Sequence, residues 1–176
     1  MKLVETSLQG AFIIEIDRIE DERGFFARTF CAEEFAAHGL APCVAQCNIS
    51  FNARRDTLRG LHFQAFPHEE DKLVRCTRGA LWDVMVDLRP RSSTYTKWFS
   101  AELSADNRRA VYIPKGFAHG FKTLTDDSEV LYQMSTPYVS GAGRGVRWND
   151  PALAVEWPGG TTILSERDAS YPDLKL

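Results

Sequence analysis

Along the chain, short runs in which apolar and polar residues alternate are broken at near-regular intervals by single glycines and prolines. That is the pattern of strands joined by turns rather than of helices. Runs rich in Val, Leu and Trp predict strands over residues 72–76 and 80–87. Arg78-Gly79 between them reads as a tight turn, so these two strands are expected to pair with each other. Further strands are predicted at 13–16, 98–103, 110–113, 117–124 and 129–135, with turn signals at Pro90, Asp106-Asn107, Pro114-Lys115-Gly116 and Asp126-Asp127. One stretch, 32–38, reads as helix, with Glu33 and Glu34 near its start and Gly39 placed to end it in a left-handed conformation. Residues 137–176 are rich in Gly, Pro and polar residues yet carry Tyr138, Trp148, Trp157 and Tyr171, so they are expected to wrap the strands rather than hang free. The fold class expected is all-β, a sandwich or barrel with little helix.

Composition narrows the function classes. The 176 residues suit one domain spanning 1–176, and 44% hydrophobic residues with eleven Phe, five Tyr and four Trp supply a buried core. Twenty-one basic against 24 acidic residues give a net charge of −3, so no basic field exists for a nucleic-acid partner or an anionic membrane, although local Arg clusters could still hold one small anion. No apolar run approaches the roughly 18 residues that span a bilayer. The opening Met1-Lys2-Leu3-Val4-Glu5 lacks the uninterrupted apolar stretch of a signal peptide. A cytoplasmic protein is expected, with Cys31, Cys43, Cys47 and Cys76 as reduced thiols.

Several chemistries have no motif. There is no G-x-x-x-x-G-K-[ST] loop, no G-x-S-x-G elbow and no paired C-x-x-C. Gly141, Gly143 and Gly145 neither follow a clear strand nor open a helix, and they read as a turn. Cys43 and Cys47, with His38 nearby, lack a fourth ligand and read as structural thiols.

The chemistry-bearing residues lie in the strands. His62 interrupts Leu58-Arg59-Gly60-Leu61-His62-Phe63-Gln64, and His119 interrupts Ile113-Pro114-Lys115-Gly116-Phe117-Ala118-His119-Gly120-Phe121. Period-two alternation can aim each imidazole into a barrel interior while its neighbours pack outside. For either one alone a satisfied core histidine is the favoured reading, and it is the two together that point to a site. Pro114-x-Gly116-x-x-His119 resembles the second motif of the cupin barrels, with His62 where the first would begin. Gln64 stands where metal-binding cupins have a second His, and although Glu69 could serve as carboxylate, an amide is a poor ligand for a transition metal. A metal-free barrel is expected. Its interior can also receive Lys72, Asp83 and Tyr132. His, Lys and Tyr are the base, cation and acid needed to remove a proton beside a ketone, hold the enolate oxygen and return a proton. Each also has a structural reading: Lys72 as a solvated strand residue, Asp83 and His119 as a pair, Tyr132 as a core aromatic.

At these residues the sequence resembles the dTDP-4-dehydrorhamnose 3,5-epimerase family over nearly its whole length. The matching segments include Asp21-Glu22-Arg23-Gly24-Phe25-Phe26, Gln46-Cys47-Asn48, Leu58 to Gln64, Lys72-Leu73-Val74-Arg75, Asp83 to Arg89, Ile113 to Phe121, Val146 to Pro151 and Leu164-Ser165-Glu166-Arg167-Asp168. The resemblance implies a cupin-like β-barrel of jelly-roll type with a few short helices, acting without cofactor or metal on a nucleotide-diphospho-sugar bearing a 4-keto-6-deoxy group. It implies His62 as base, Asp168 as its dyad partner, Lys72 at the enolate oxygen and Tyr132 as the acid on the opposite face. It further implies substrate contacts at Arg23, Phe26, Arg28, Gln46, Asn48, Arg59, His119, Tyr138 and Arg167, and a homodimer in which Arg23 completes the partner's site. Four positions depart from the family pattern: Arg28 and Gly143 stand where acids are usual, Arg167 replaces a typical Lys, and Gln133 follows Tyr132 where Lys is common. The nucleotide could therefore be dTDP, CDP or GDP, and inversion could occur at C3, C5 or both. A sugar ketoisomerase and a non-catalytic sugar-nucleotide-binding barrel are the competing readings.

Overall fold

Strict alternation along most strands sorts their side chains into one shared interior and two outer faces. The computed structural model describes residues 1–175. Numbered in chain order, six strands form one antiparallel sheet in the order β1 (Lys2–Glu5), β2 (Phe12–Glu15), β10 (Ala110–Ile113), β7 (Lys72–Arg78), β12 (Ser128–Met134) and β5 (Gln46–Asn52). Five form a second: β13 (Gly143–Gly145), β6 (Leu58–Gln64), β11 (Phe117–Thr123), β8 (Ala80–Asp87) and β9 (Trp98–Ser104). A separate hairpin joins β3 (Ile19–Asp21) to β4 (Gly24–Phe26), and the described residues hold two short helices, α1 (Ala32–Ala37) and α2 (Glu166–Ala169). The result is the all-β, cupin-like barrel expected.

The interior forms where the inner faces of the sheets meet. Val74, Cys76, Val111, Ile113 and Val130 from the first sheet pack against Leu81, Met85, Leu103, Phe117 and Phe121 from the second. Each Val, Leu, Ile, Met or Phe among them, fully buried, contributes about 1.5–3 kcal/mol. The outer face of the six-stranded sheet, with Leu73, Ala110 and Tyr112, is covered by Phe35 of α1. That helix begins and ends as predicted: Glu33 and Glu34 lie in its first turn, and Gly39 follows at φ 70°. Leu61, Val84, Val86 and Ala118 on the outer face of the other sheet are covered by Val146, Leu153, Val155 and Trp157, so the C-terminal segment does wrap the barrel. Its last residue, Leu176, lies outside the described residues. No helix among the described residues is long and apolar enough to cross a membrane.

Two expectations are corrected. β7 and β8 do not pair, because the chain changes sheets at Gly79. β7 bonds to β10 and β12, whereas β8 bonds to β11 and β9, so both edges of each strand are already occupied. Gly79 sits at φ 75°, and a Cβ there would fall 2.6 Å from the hydroxyls of Ser128 and Thr125, so the crossing accepts no larger residue. The second correction concerns Gly143–Gly145, which forms strand β13 paired with β6 rather than a turn. Glycine serves there because the Tyr171 ring occupies the space of a side chain: a Cβ on Gly145 would lie 2.5 Å from it.

Candidate active site

Strand β6 carries the first functional group, and its register explains how. His62 lies opposite His119 and Arg59 opposite Phe121, so three steps on β6 match two on β11. One extra residue on β6 is a bulge. Gly60 at the bulge has φ 138°, and its missing Cβ would lie 2.6 Å from the Cα of Gly120. Because of this bulge Arg59 and His62, three apart, both line the interior cleft, while Leu61 between them packs in the outer cluster.

Behind His62 stands Asp168 on α2. Ser165 caps that helix by accepting the Asp168 N–H, which seats the carboxylate. His62 Nε2 lies 2.7 Å from Asp168 Oδ1, and Asp168 Oδ2 accepts the Gly60 N–H at 3.4 Å. Burial alone would raise the Asp168 carboxyl, but the hydrogen bond and charge of His62, with Gly60 and Arg167, outweigh it and hold the carboxyl below its ordinary value. The Tyr171 ring meets the imidazole edge-on at 5.6 Å, and its hydroxyl accepts from Arg167 Nε at 2.7 Å.

Lys72 opens β7 on the inner face. Its Nζ donates to the His62 carbonyl at 3.2 Å and pairs with Glu70 Oε1, also at 3.2 Å, with both side chains buried. Burial drives the ammonium below its ordinary value, and the negative charges of Glu70 and Asp83 oppose that shift. Asp83 Oδ2 lies 2.8 Å from His119 Nε2, so these two do form the pair anticipated as one reading. Tyr132 packs its ring against His119 at 5.9 Å, and its phenol is raised above the ordinary value, chiefly by burial and then by Asp83.

These groups converge on one continuous cleft. A cavity of about 460 Å³ is lined by His62, Lys72, Gln46, Asn48, Tyr138, Arg144 and Arg167, among others. A second, of about 300 Å³, adjoins it through His62, Lys72, Asn48 and Met134 and adds Arg59, His119 and Tyr132. Hydrogen bonds hold the mouth in shape. Arg59 Nε donates to Asn52 Oδ1 at 2.7 Å. Gln46 Oε1 accepts the Tyr138 N–H at 2.9 Å, and Gln46 Nε2 donates to Asn48 Oδ1 at 3.1 Å.

Of the residues singled out in the sequence, His62, Lys72, Tyr132, Gln46, Asn48, Arg59, His119, Tyr138 and Arg167 line this cleft, and Asp168 supports His62 from behind. Three do not reach it within the chain. Arg23 pairs with Asp21 across the β3–β4 turn, Phe26 is 73% exposed on the same hairpin, and Arg28 donates to Glu34 on α1 at 3.0 Å. Gln64 spends its amide on the backbone, donating to His68 O and accepting the Val139 N–H at 2.8 Å. The candidate carboxylate Glu69 accepts from Thr136 through its carbonyl. Among the described residues no group of three or more His, Cys, Asp or Glu side chains is placed to hold a metal. Sequence reasoning missed Glu70 and Arg144 as cleft residues. Within Glu69-Glu70-Asp71 no periodicity marks the middle carboxylate as the buried one. The chemistry available here is proton abstraction by a carboxylate-supported imidazole beside a cation and a protonated phenol.

The chain matches the family model described as dTDP-4-dehydrorhamnose 3,5-epimerase over residues 5–175. It is 45% identical to a dTDP-4-dehydrorhamnose 3,5-epimerase of Sinorhizobium fredii, over 98% of this chain and 92% of that relative. It is similar to the crystal structure of dTDP-4-dehydrorhamnose 3,5-epimerase from Bacillus anthracis with TDP and PPi bound, with 40% identity, a TM-score of 0.94, and 98% and 99% of the two chains covered. The dTDP-6-deoxy-D-glucose-3,5-epimerase of Legionella pneumophila in complex with dTDP-4-keto-L-rhamnose matches with 35% identity and a TM-score of 0.91, over 98% and 92% of the chains.

Proposed function

This chain belongs to the dTDP-4-dehydrorhamnose 3,5-epimerase family, and on that premise we propose that it is an isomerase inverting C3 and C5 of a dTDP-linked 4-keto-6-deoxy sugar. The observation that carries the reading is the His62–Asp168 pair at 2.7 Å, facing a cleft that also holds Lys72 and Tyr132.

The bond from His62 Nε2 to Asp168 leaves Nδ1 as the imidazole nitrogen with a free lone pair. That nitrogen takes the proton from the carbon beside the C4 ketone. The C–H electron pair passes into the ketone as an enolate, whose oxygen receives an N–H from the Lys72 ammonium. Asp168 orients the ring and stabilises the imidazolium that results. Tyr132, its phenol kept protonated by burial, donates a proton to the other face of the same carbon, and configuration inverts. His62 and Tyr132 then exchange protons with solvent, so no atom or electron is left over. The ketone is the electron sink, and the step calls for no cofactor.

Arg59 and Arg167, with Gln46 and Asn48, suit the diphosphate oxygens, and Tyr138 suits the face of the sugar. His119, bonded to Asp83 and packed against Tyr132, lines the same cleft and suits a contact with the ligand. Arg23 and Phe26 act in the cleft of a second copy, which makes the working unit a homodimer. Support comes from exposed Ile19, Phe25 and Phe26 on the hairpin and Ile49 and Phe51 on edge strand β5. Arg28 would join the substrate contacts on that second copy only by leaving Glu34.

Incubation with dTDP-4-keto-6-deoxyglucose in deuterated water, followed at C3 and C5 by NMR, tests the reading. Deuterium uptake at both carbons with inversion is expected. Uptake at one carbon corrects the assignment to a monoepimerase, CDP- and GDP-linked substrates test the nucleotide, and tight binding without uptake leaves only a sugar-nucleotide-binding barrel.

A further inference from the structure

Glu70 lies in the loop before β7, two residues ahead of Lys72, with its side chain only 3% exposed. One carboxylate oxygen, Oε1, pairs with Lys72 Nζ at 3.2 Å. The other, Oε2, is buried and has no hydrogen-bond partner among the described residues, although Glu70 lines the same cleft as His62 and Lys72. A buried carboxylate oxygen left unpaired is costly. It persists at low cost only where a donor arrives from outside the chain.

We propose that Glu70 accepts a hydrogen bond from the C3 hydroxyl of the substrate sugar and so selects for that hydroxyl. The proposal rests on the reading above that Lys72 holds the C4 oxygen. With the C4 oxygen on Nζ, the Glu70 carboxylate paired to that same Nζ lies next to whatever the neighbouring carbons carry, and a turn of its side chain brings Oε2 from its closed position to the cleft. In a 4-keto-6-deoxyhexose, C5 bears a methyl group and the ring oxygen, neither of which donates. C3 bears a hydroxyl, the one donor next to the ketone. The carboxylate thus grips the sugar beside the reacting centre, while its other oxygen keeps the Lys72 ammonium in place.

The test uses the whole chain with two compounds, the dTDP-linked 4-keto-6-deoxyhexose and its 3-deoxy analogue. The readout is kcat/KM for deuterium uptake at C5, each value divided by that compound's buffer-catalysed exchange rate to remove the inductive effect of the hydroxyl. The wild type is expected to favour the hydroxyl compound about 10- to 100-fold, as for a hydrogen bond to a charged acceptor. Glu70→Ala is expected to bring the two compounds together. Any damage that variant does to Lys72 slows both compounds alike and cancels in the ratio. A folded Glu70→Ala protein that keeps the wild-type ratio overturns the proposal, as does a wild type that treats the two compounds alike. The second result decides the matter even if Glu70→Ala does not fold. Absence of uptake from the parent compound in the wild type is a separate outcome, which removes the epimerase reading itself.

Discussion

His62 Nε2 and Asp168 Oδ1 lie 2.7 Å apart although 106 positions separate the residues in the chain. Strand β6 presents the imidazole, and a four-residue helix, capped at Ser165, presents the carboxylate. Replacing His62 with Ala is expected to abolish deuterium uptake. Asp168→Asn keeps the shape but no longer supports the imidazolium, and it is expected to lower the uptake rate by about 10³- to 10⁴-fold. Rates for both variants, measured by NMR on protein with unchanged Tm, check the assignment; wild-type uptake in either would remove that residue from the mechanism.

Tyr132→Phe separates abstraction from inversion. The phenol proton is lost while the ring contact with His119 remains. Epimerised product is expected to fall by about 10²- to 10⁴-fold, while proton exchange on the His62 face persists with retained configuration. Product stereochemistry set against label uptake in the same sample decides it.

Lys72 and Glu70 are buried together, so removing either strands the other. Lys72→Met is expected to cost about 3–5 kcal/mol of stability by leaving the carboxylate uncompensated. The double variant Lys72→Met/Glu70→Gln is expected to recover most of that loss while remaining inactive. Urea denaturation of the two singles and the double closes the cycle.

The second-copy role of Arg23 is open to complementation. Arg23→Ala and His62→Ala are each expected to be nearly inactive alone, and a mixture, after subunit exchange, is expected to regain turnover. In a mixed dimer one cleft has both its own His62 and its partner's Arg23. A mixture as inactive as its components would place Arg23 outside the partner's site.

Asp87 predicts a pH effect on stability. It is fully buried, which works against its charge, but hydrogen bonds from Arg89, Ser92 and Thr94 prevail and hold its carboxyl at about 2. Since the folded value lies below the unfolded value of about 3.9, the stabilisation is complete above about pH 4 and is lost as the pH falls through about 2. It amounts to about 2–3 kcal/mol. Asp87→Asn is expected to have a lower Tm at neutral pH and a flatter decline in Tm below pH 4.

Much of the cleft was legible because strand parity is a local property. Lys72, Asp83, His119 and Tyr132 fall at inward positions by alternation alone, and the strands bearing them were predicted within a residue or two of their ends. Parity fails where the backbone departs from it. Arg59 and His62 differ by an odd number of positions, and only the Gly60 bulge brings both to the cleft. The three-residue strands β3 and β4 carry too few residues for alternation to mark them.

Sequence by itself determined which residues share a face along the regular strands, where most turns fall, that the chain is β-rich with one evident helix, and which residue types are present for proton transfer beside a ketone. These follow from the geometry of a single strand and from side-chain chemistry, and neither needs a partner. Tertiary structure alone decided that the strands flanking Gly79 lie in different sheets, that Asp168 reaches His62, and that Glu70 rather than Glu69 lies buried in the cleft. A strand's edge is satisfied equally well by any complementary edge, and a carboxylate's burial depends on what the rest of the chain lays over it, so both are settled only when the two sheets close on each other.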